Sequence, residues 1–500
     1  MLKNIGANWA LALLKMATAF VLMPYTIRML GTEQYSVWIL IGSITGYMAL
    51  MILGVPAASA RFMAKAAAEK DHAKLNDYIA SFASLYLLLG AICVAVGVGL
   101  YFALTRLFEI PAEFQSHAQA AFAIVIGTTA AGFVLQLPYA IFSAHHEFVG
   151  SNTVLATTTL FRFVATFALL RWWPSVIVVA AIQGVALVLE FALAWAMIGR
   201  KYPHIRLRFG ALRWTTLREI LGFSLFVMVL SVGAQLSYQT DALVIGRFLH
   251  VGQIAFFAVA NNLALYYIEF LVGIASVVMP MTTRLQTEGN HDGLRELFLK
   301  WSKIALGLSM IGGLFLIVLG PRFLAWWVGP TFEEPAGRVL QILMTSYLVY
   351  LPVRAVSQPM LIGLGMPNKP AMGFLVAGVS NLILSITLAQ KYGIAGVALG
   401  TAIPNAAYAI YLASVTCRAI QLPFATYFRY VYGRAGIAAV PVMAVLYAFR
   451  VGLDARTFVE LAVAGTTSAV LCVALWFGVI VRGDKYLGNS FAQVRARFAK

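Results

Sequence analysis

Six ionisable residues stand inside long apolar runs of this 500-residue sequence: Lys15, Arg162, Glu190, Asp241, Glu269 and Arg354. A charge at the centre of a membrane helix costs about 2.5–3.5 kcal/mol on insertion scales, so such residues face a protein interior or a watery path and are functional candidates by default. The cations Arg162, Arg354 and Lys15 suit an anionic substrate group. Arginine offers a planar, permanently charged fork that matches phosphate oxygens, and lysine a compact point charge. The acids Asp241, Glu269 and Glu190 suit ion coupling or gating, because a carboxylate out of water gains by taking up a proton or a cation. The competing reading pairs the cations with Glu190 or Glu269 and leaves them to fix helix packing. For Asp241 it offers Arg247 as partner, or Gln239 and Thr240 as caps.

These residues need elements to hold them, and composition says which. The chain is 61% hydrophobic and 11% charged, with a mean hydropathy of +0.85, whereas soluble domains carry about 25% charged residues. The runs are continuously apolar rather than alternating with period two, so they are helices and not barrel strands. Fourteen runs are long enough to cross about 30 Å of hydrocarbon. They cover 7–29, 35–56, 82–105, 118–143, 153–171, 174–198, 219–249, 254–281, 302–320, 338–364, 371–390, 393–417, 433–450 and 458–481. The expected fold is an all-α integral membrane protein of about 14 transmembrane helices.

The net charge of +17 would suit nucleic acid, but the 36 Lys and Arg are scattered between spans. Sorted by this topology, with residues within two positions of a span end counted with the adjoining loop, 24 fall on the side of the two termini, 9 on the opposite side and 3 inside spans. Cytoplasmic loops carry the excess of basic residues, so both termini are expected in the cytoplasm. The cysteines Cys93, Cys417 and Cys472 all lie in apolar runs, which indicates neither a disulfide framework nor a thiolate metal site. No cleavable signal is read at the first run, which leads through Arg28 into a second span.

An internal repeat recurs at an offset of about 219 residues. Leu30-Gly31-Thr32-Glu33-Gln34 lies over Leu249-His250-Val251-Gly252-Gln253, and Ala73–Asp77 over Asp292–Glu296. Gln136-Leu137-Pro138 lies over Ser357-Gln358-Pro359. Span and loop lengths match over six helices. Six is even, so both halves keep one orientation, related by an axis along the membrane normal. The expected domains are a six-helix lobe at 1–198, a basic linker at 199–218, a second six-helix lobe at 219–417, two further helices within 418–482 and a basic tail at 483–500.

Several segments carry a resemblance to a known family. They are Pro24–Gly31, Gln34-Tyr35-Ser36-Val37-Trp38, Gln239–Gly246, Trp326-Trp327-Val328-Gly329, Ile362–Lys369 and Tyr392–Gly400. In this order, at span boundaries and over essentially the full length, they resemble the Wzx-like polysaccharide flippases of the multidrug/oligosaccharidyl-lipid/polysaccharide superfamily. The resemblance implies a MATE-like, two-lobe exporter that flips an undecaprenyl-diphosphate-linked oligosaccharide across the bacterial inner membrane, for O-antigen, lipopolysaccharide, capsule or exopolysaccharide synthesis. It also implies a positively charged central cavity, no cofactor beyond Na+ or H+ as coupling ion, and as partners the polyprenyl-linked glycan, membrane lipids and the polysaccharide polymerase. The drug-exporting branch usually has twelve spans, so the extra pair favours the glycan branch.

Other polar residues admit two readings. Asn261, Asn262, Gln341, Gln358, Asn381 and Asn405 would hydrogen-bond sugar hydroxyls or act as interhelical glue. Trp9, Trp172, Trp173, Trp326 and Trp327 at span ends read as an interfacial belt. His145-His146-Glu147 has no metal-ligand companion at helical spacing and reads as a solvated loop. No phosphate-cradling glycine loop is present, so nucleotide hydrolysis is not indicated. An embedded glycosyltransferase would carry a large outward loop with clustered charges; the outward loops here stay under roughly 17 residues. A cation-coupled drug exporter on the same fold is the remaining competitor, and cations in the spans of both lobes lean away from it.

Overall fold

The computed structural model describes residues 2–52, 54–207, 232–233, 235–237, 239–272, 275–482, 484 and 486–487. Helices follow wherever the apolar runs do, because in hydrocarbon each backbone polar group must be satisfied within its own segment. The first half of the chain holds α1 (Leu2–Met48), α2 (Val55–Ala68), α3 (His72–Leu107), α4 (Ala112–Ala144), α5 (Phe148–Trp172), α6 (Val176–Lys201) and α7 (Thr240–Phe248). Then follow α8 (Gln253–Val272), α9 (Ala275–Thr287), α10 (His291–Val318), α11 (Gly320–Trp327), α12 (Pro335–Gly363) and α13 (Asn368–Ala419). Last come α14 (Phe424–Gly452) and α15 (Phe458–Val481). Most of the seventh expected span, 219–249, lies outside the described residues.

Among the described residues ten helices are long and apolar enough to span a membrane. Two of them, α1 with 47 residues and α13 with 52, would be about 70 Å or more long if straight, more than twice the hydrocarbon thickness. Each is broken by one glycine with positive φ, Gly31 at +77° and Gly393 at +59°, a conformation an L side chain resists. Each therefore holds two spans. The protein is an all-α integral membrane protein.

The chain divides into two compact units, Met1–Ala255 and Phe256–Lys500. In the first, α4 packs against α2, α3 and α6. In the second, α12 packs against α9, α10, α11 and α13. These central helices correspond to the expected spans 118–143 and 338–364. Outward faces carry bare aliphatics such as Val164, Val188, Ile437 and Val440, each more than 60% exposed. Small residues let helices meet inside. In α13 a Cβ on Gly396 would lie 2.1 Å from the Leu388 carbonyl, and one on Gly400 2.3 Å from Ser385 Oγ.

Two boundaries differ from expectation. Helix α10 begins eleven residues before its apolar run, where Asn290 Oδ1 accepts the Gly293 amide at 2.8 Å. Lys303, placed by sequence at a span edge, therefore stands well inside a helix. Trp327, assigned to the interfacial belt, is buried at 5% exposure, whereas Trp172 and Trp173 are open at 73% and 62%. The short amphipathic α11 turns Trp327 inward and leaves Trp326 outside.

Candidate functional site

In the first unit Arg162, from α5, meets Glu190, from α6: Nη2 donates to Oε2 at 3.3 Å. Tyr139 of α4 donates its hydroxyl to the other carboxylate oxygen at 2.6 Å. Glu190 is 8% exposed and Arg162 46%, so the acid is sunk between helices while the guanidinium keeps an open side. The pairing that sequence offered as the competing reading exists. One Arg162 edge is committed to Glu190, and the rest of its fork remains accessible.

Arg354 sits in different surroundings. It lines a cavity of about 220 Å3 with Ile268, Leu271, Met279, Gln358, Pro359 and other residues of α12. Its Nε donates to Gln358 Oε1 at 3.3 Å, one turn on. Its guanidinium carbon lies 5.7 Å from the Tyr350 ring centre and 5.5 Å from that of Phe374, within cation–π range. The aromatic faces and the Gln358 amide orient a permanent cation in an apolar hollow, an arrangement that strengthens its pull on an anion.

Asp241 lies in the first turn of α7 and is 3% exposed. Next to it, Thr240 Oγ1 hydrogen-bonds the Tyr47 hydroxyl of α1. Ser43 Oγ donates to Gln239 Oε1 at 3.4 Å, so the Gln239-Thr240-Asp241 turn is laid against α1. Arg247 is exposed at the far end of α7. Lys15 is exposed on α1. The side chain of Glu269 lies outside the described residues. Within each unit, then, the structure joins Arg162 to Glu190 and sets Arg354 in a cavity, while Lys15 and Asp241 occupy separate places along the chain's helices.

A further contact ties α1 to the start of α8. Ser36 Oγ donates to the Gly252 carbonyl at 3.1 Å and accepts the Ala255 amide at 2.9 Å. Ser36 and Ala255 stand 219 positions apart, the offset of the repeat. Glu33 Oε1 lies 3.8 Å from His250 Nδ1, and a Cβ on Gly252 would strike that carboxylate at 2.3 Å. Gln34 Oε1 accepts the Val176 amide at 3.2 Å and ties the same connection to α6.

Sequence reasoning missed a third group. Lys303 of α10 and Asp484, beyond α15, form an ion pair at 2.5 Å with both side chains 2% exposed. The Tyr430 hydroxyl donates to Asp484 at 2.6 Å, and Lys303 Nζ lies 3.6 Å over that ring. Burial pushes the Asp484 carboxyl up, but Lys303, Tyr430 and the amides of Leu487 and Tyr486 outweigh it and hold the group below the usual carboxylate range. Nothing in local sequence links residues 181 positions apart.

The His145-His146-Glu147 loop is not simply solvated. Lys201 and Tyr202 both bond Glu147, and the His145 ring lies 4.1 Å from that of Tyr202. His204 follows, 4.0 Å from His72. Of the polar residues in spans, Gln341 donates to the Ile317 carbonyl and Asn381 to Thr401, each at 2.8 Å, so these two act as glue.

A model of the family described as "Polysaccharide biosynthesis protein" matches residues 1–286. The chain belongs to that family. Among curated members and relatives, the polysaccharide biosynthesis chain is 23% identical over 417 residues to the uncharacterized membrane protein EpsK of Bacillus subtilis, covering 80% of this chain and 79% of EpsK. It is 20% identical over 267 residues to the probable low-salt glycan biosynthesis flippase Agl15 of Haloferax volcanii, 53% of each chain. Its fold is similar to the lipid II flippase MurJ in an inward closed conformation, at TM-score 0.71 and 16% identity over 95% of this chain and 99% of MurJ. It is also similar to an inward-facing multidrug MATE transporter, at TM-score 0.68 and 16% identity over 82% and 98%. The MATE-like, superfamily-level fold expected from the sequence motifs is the fold observed.

Proposed function

We propose that this polysaccharide biosynthesis protein flips undecaprenyl-diphosphate-linked oligosaccharide repeat units across the bacterial cytoplasmic membrane by alternating access, with both termini in the cytoplasm. Agl15 is described as a glycan biosynthesis flippase and MurJ as a lipid II flippase, and both relationships support a lipid-linked glycan as cargo. The observation that carries the reading is Arg354: a permanent cation, oriented by Tyr350, Phe374 and Gln358, at the wall of an apolar cavity. Such a group recognises a diphosphate better than it tolerates the cationic solutes of a drug exporter. Arg162 offers a second, half-committed guanidinium, and Lys15 a third cation. Asp241, Glu190 and Glu269 serve coupling or gating, with Na+ or H+ as the ion. The chain acts as a transporter and not as an enzyme.

Deletion of the gene is expected to accumulate glycan-linked undecaprenyl lipid on the cytoplasmic side. Normal surface polysaccharide without that accumulation would overturn the reading. For the site, Arg162→Ala and Arg354→Ala are each expected to slow translocation by roughly tenfold or more while the protein remains in the membrane; wild-type transport in both would sink the assignment of these arginines to the substrate.

A further inference from the structure

The arms of α13 close tightly at one end and stand apart at the other. Near the kink they are pinned by Gly396 against Leu388 and Gly400 against Ser385, and by the bond from Asn381 to Thr401. At the open end Tyr408 and Tyr411 reach across, donating to the carbonyls of Pro370 at 2.8 Å and Lys369 at 3.3 Å. Between these clamps runs an almost wholly apolar groove of about 450 Å3, lined by Gly373, Val376, Ala377, Ser380, Pro404, Ala407 and their neighbours. The small Gly373, Ala377, Ser380 and Ala407 leave the space open between larger neighbours. Val376, at 61% exposure, marks it as open on the outside of the helix pair.

Two cations stand on the same helix arms beyond the lining residues. Lys369 precedes Gly373 by four residues and Val376 by seven, and Arg418 follows Tyr411 by seven, so helical spacing puts each on the stripe that faces the groove. Both side chains are exposed. The groove from Met372 to Leu384 runs for about 18 Å along a helix. That is a little over half of the roughly 30 Å of hydrocarbon, the reach of a chain confined to one leaflet.

We propose that this groove is a binding site for an anionic phospholipid of the cytoplasmic leaflet, with one acyl chain between the arms of α13 and the phosphate between Lys369 and Arg418. The length argues for an acyl chain over the far longer polyprenyl chain of the cargo. The two cations select a negative headgroup from a zwitterionic one. The inference rests on the orientation given above but not on the translocation reading, since lipid retention and transport are measured separately.

The test is native mass spectrometry of the full-length protein with palmitoyl-oleoyl phosphatidylglycerol or with phosphatidylcholine of the same chains. Wild type is expected to retain the glycerol lipid preferentially. Lys369→Gln and Arg418→Gln should each weaken that preference about fivefold, the effect of one basic residue at an anionic headgroup. Ala407→Trp and Val376→Trp, which fill the groove without touching its charge, should reduce retention of both lipids. Val376 is on the outer face, so its variant keeps the core intact. Equal retention of both lipids by wild type, or unchanged retention in the charge variants or in Val376→Trp, would overturn the proposal. Displacement of phosphatidylglycerol by an equal amount of a polyprenyl phosphate would overturn it in favour of the cargo's own chain.

Discussion

At the scale of residues, the two arginines differ in how they are held, and the difference has consequences. Arg354 is oriented by the Tyr350 and Phe374 ring faces and the Gln358 amide at the wall of the cavity it helps form, whereas Arg162 is held by the Glu190 carboxylate. A charge-assisted hydrogen bond contributes about 1.5–3 kcal/mol, so Arg354→Ala is expected to slow translocation by roughly tenfold to a hundredfold at unchanged membrane level. Arg354→Lys should recover part of the rate, keeping the charge without the fork; a lysine variant as slow as alanine would show that planarity is what matters. The histidine pair is a separate matter, outside the spans. Burial lowers the His204 pKa from 6.5, with His72 and His145 adding to it. A base with a depressed folded pKa binds protons better when released, so docking of residues 202–207 is complete above about pH 6.5 and weakens as pH falls below it. Proteolytic cleavage after Lys201 should therefore speed up between pH 7.5 and 5.5, and His72→Gln should flatten the difference.

At the scale of elements, most of the fold was legible and the pairings were not. Apolar length alone places α3 to α6, α12, α14 and α15, because a bilayer demands it. Gly31 and Gly393 were visible as breaks between spans, although not as the positive-φ hinges they are. The early start of α10 was lost because Asp292, Arg295, Glu296 and Lys300 interrupt the apolar Leu294, Leu297, Phe298 and Leu299 in its first turns, which leaves no continuous apolar run. With that start went Lys303, and its partner Asp484 was hidden as a residue of a basic tail. Arg162, Glu190 and Arg354 stood out for the opposite reason, being charges in runs that otherwise have none. Their partners Tyr139 and Gln358 are ordinary residues that only helix packing could select. Two predictions belong here. Gly396→Ala, whose methyl would meet the backbone of Leu388, should sharply reduce the folded protein recovered from membranes, whereas Gly436→Ala, with nothing within 4 Å, should be neutral or stabilise α14 by up to about 1 kcal/mol. Removing one partner of a buried ion pair costs about 3–5 kcal/mol, so Asp484→Ala and Lys303→Ala should each lower the unfolding temperature markedly. The double replacement Lys303→Met with Asp484→Leu should lower it less than either; a larger loss in the double variant would contradict this account of the pair.

At the scale of the whole molecule, the first unit holds one connection that can be probed directly. Ser36 and Ala255 are joined through the serine hydroxyl. On the alternating access proposed above, oxidation of a Ser36→Cys/Ala255→Cys pair is expected to arrest translocation and reduction to restore it. Undiminished transport by fully cross-linked protein would mean that the contact is static. The two helices after α13 belong to a different order of structure. They are fastened to α10 by Trp476 over Gly307, by the stacked rings of Phe298 and Tyr427 at 4.7 Å, and by the Lys303–Asp484 pair. They have no counterpart in the first repeat.

The Ser36 hydroxyl works in both directions, donating to the Gly252 carbonyl and accepting the Ala255 amide, so one buried side chain satisfies two backbone groups at the start of α8. A buried polar group left without its partner is costly, so this junction depends on a single oxygen atom rather than on apolar packing. A hydroxyl is also small enough to be exchanged for water, which makes the junction a place where solvent can substitute for protein.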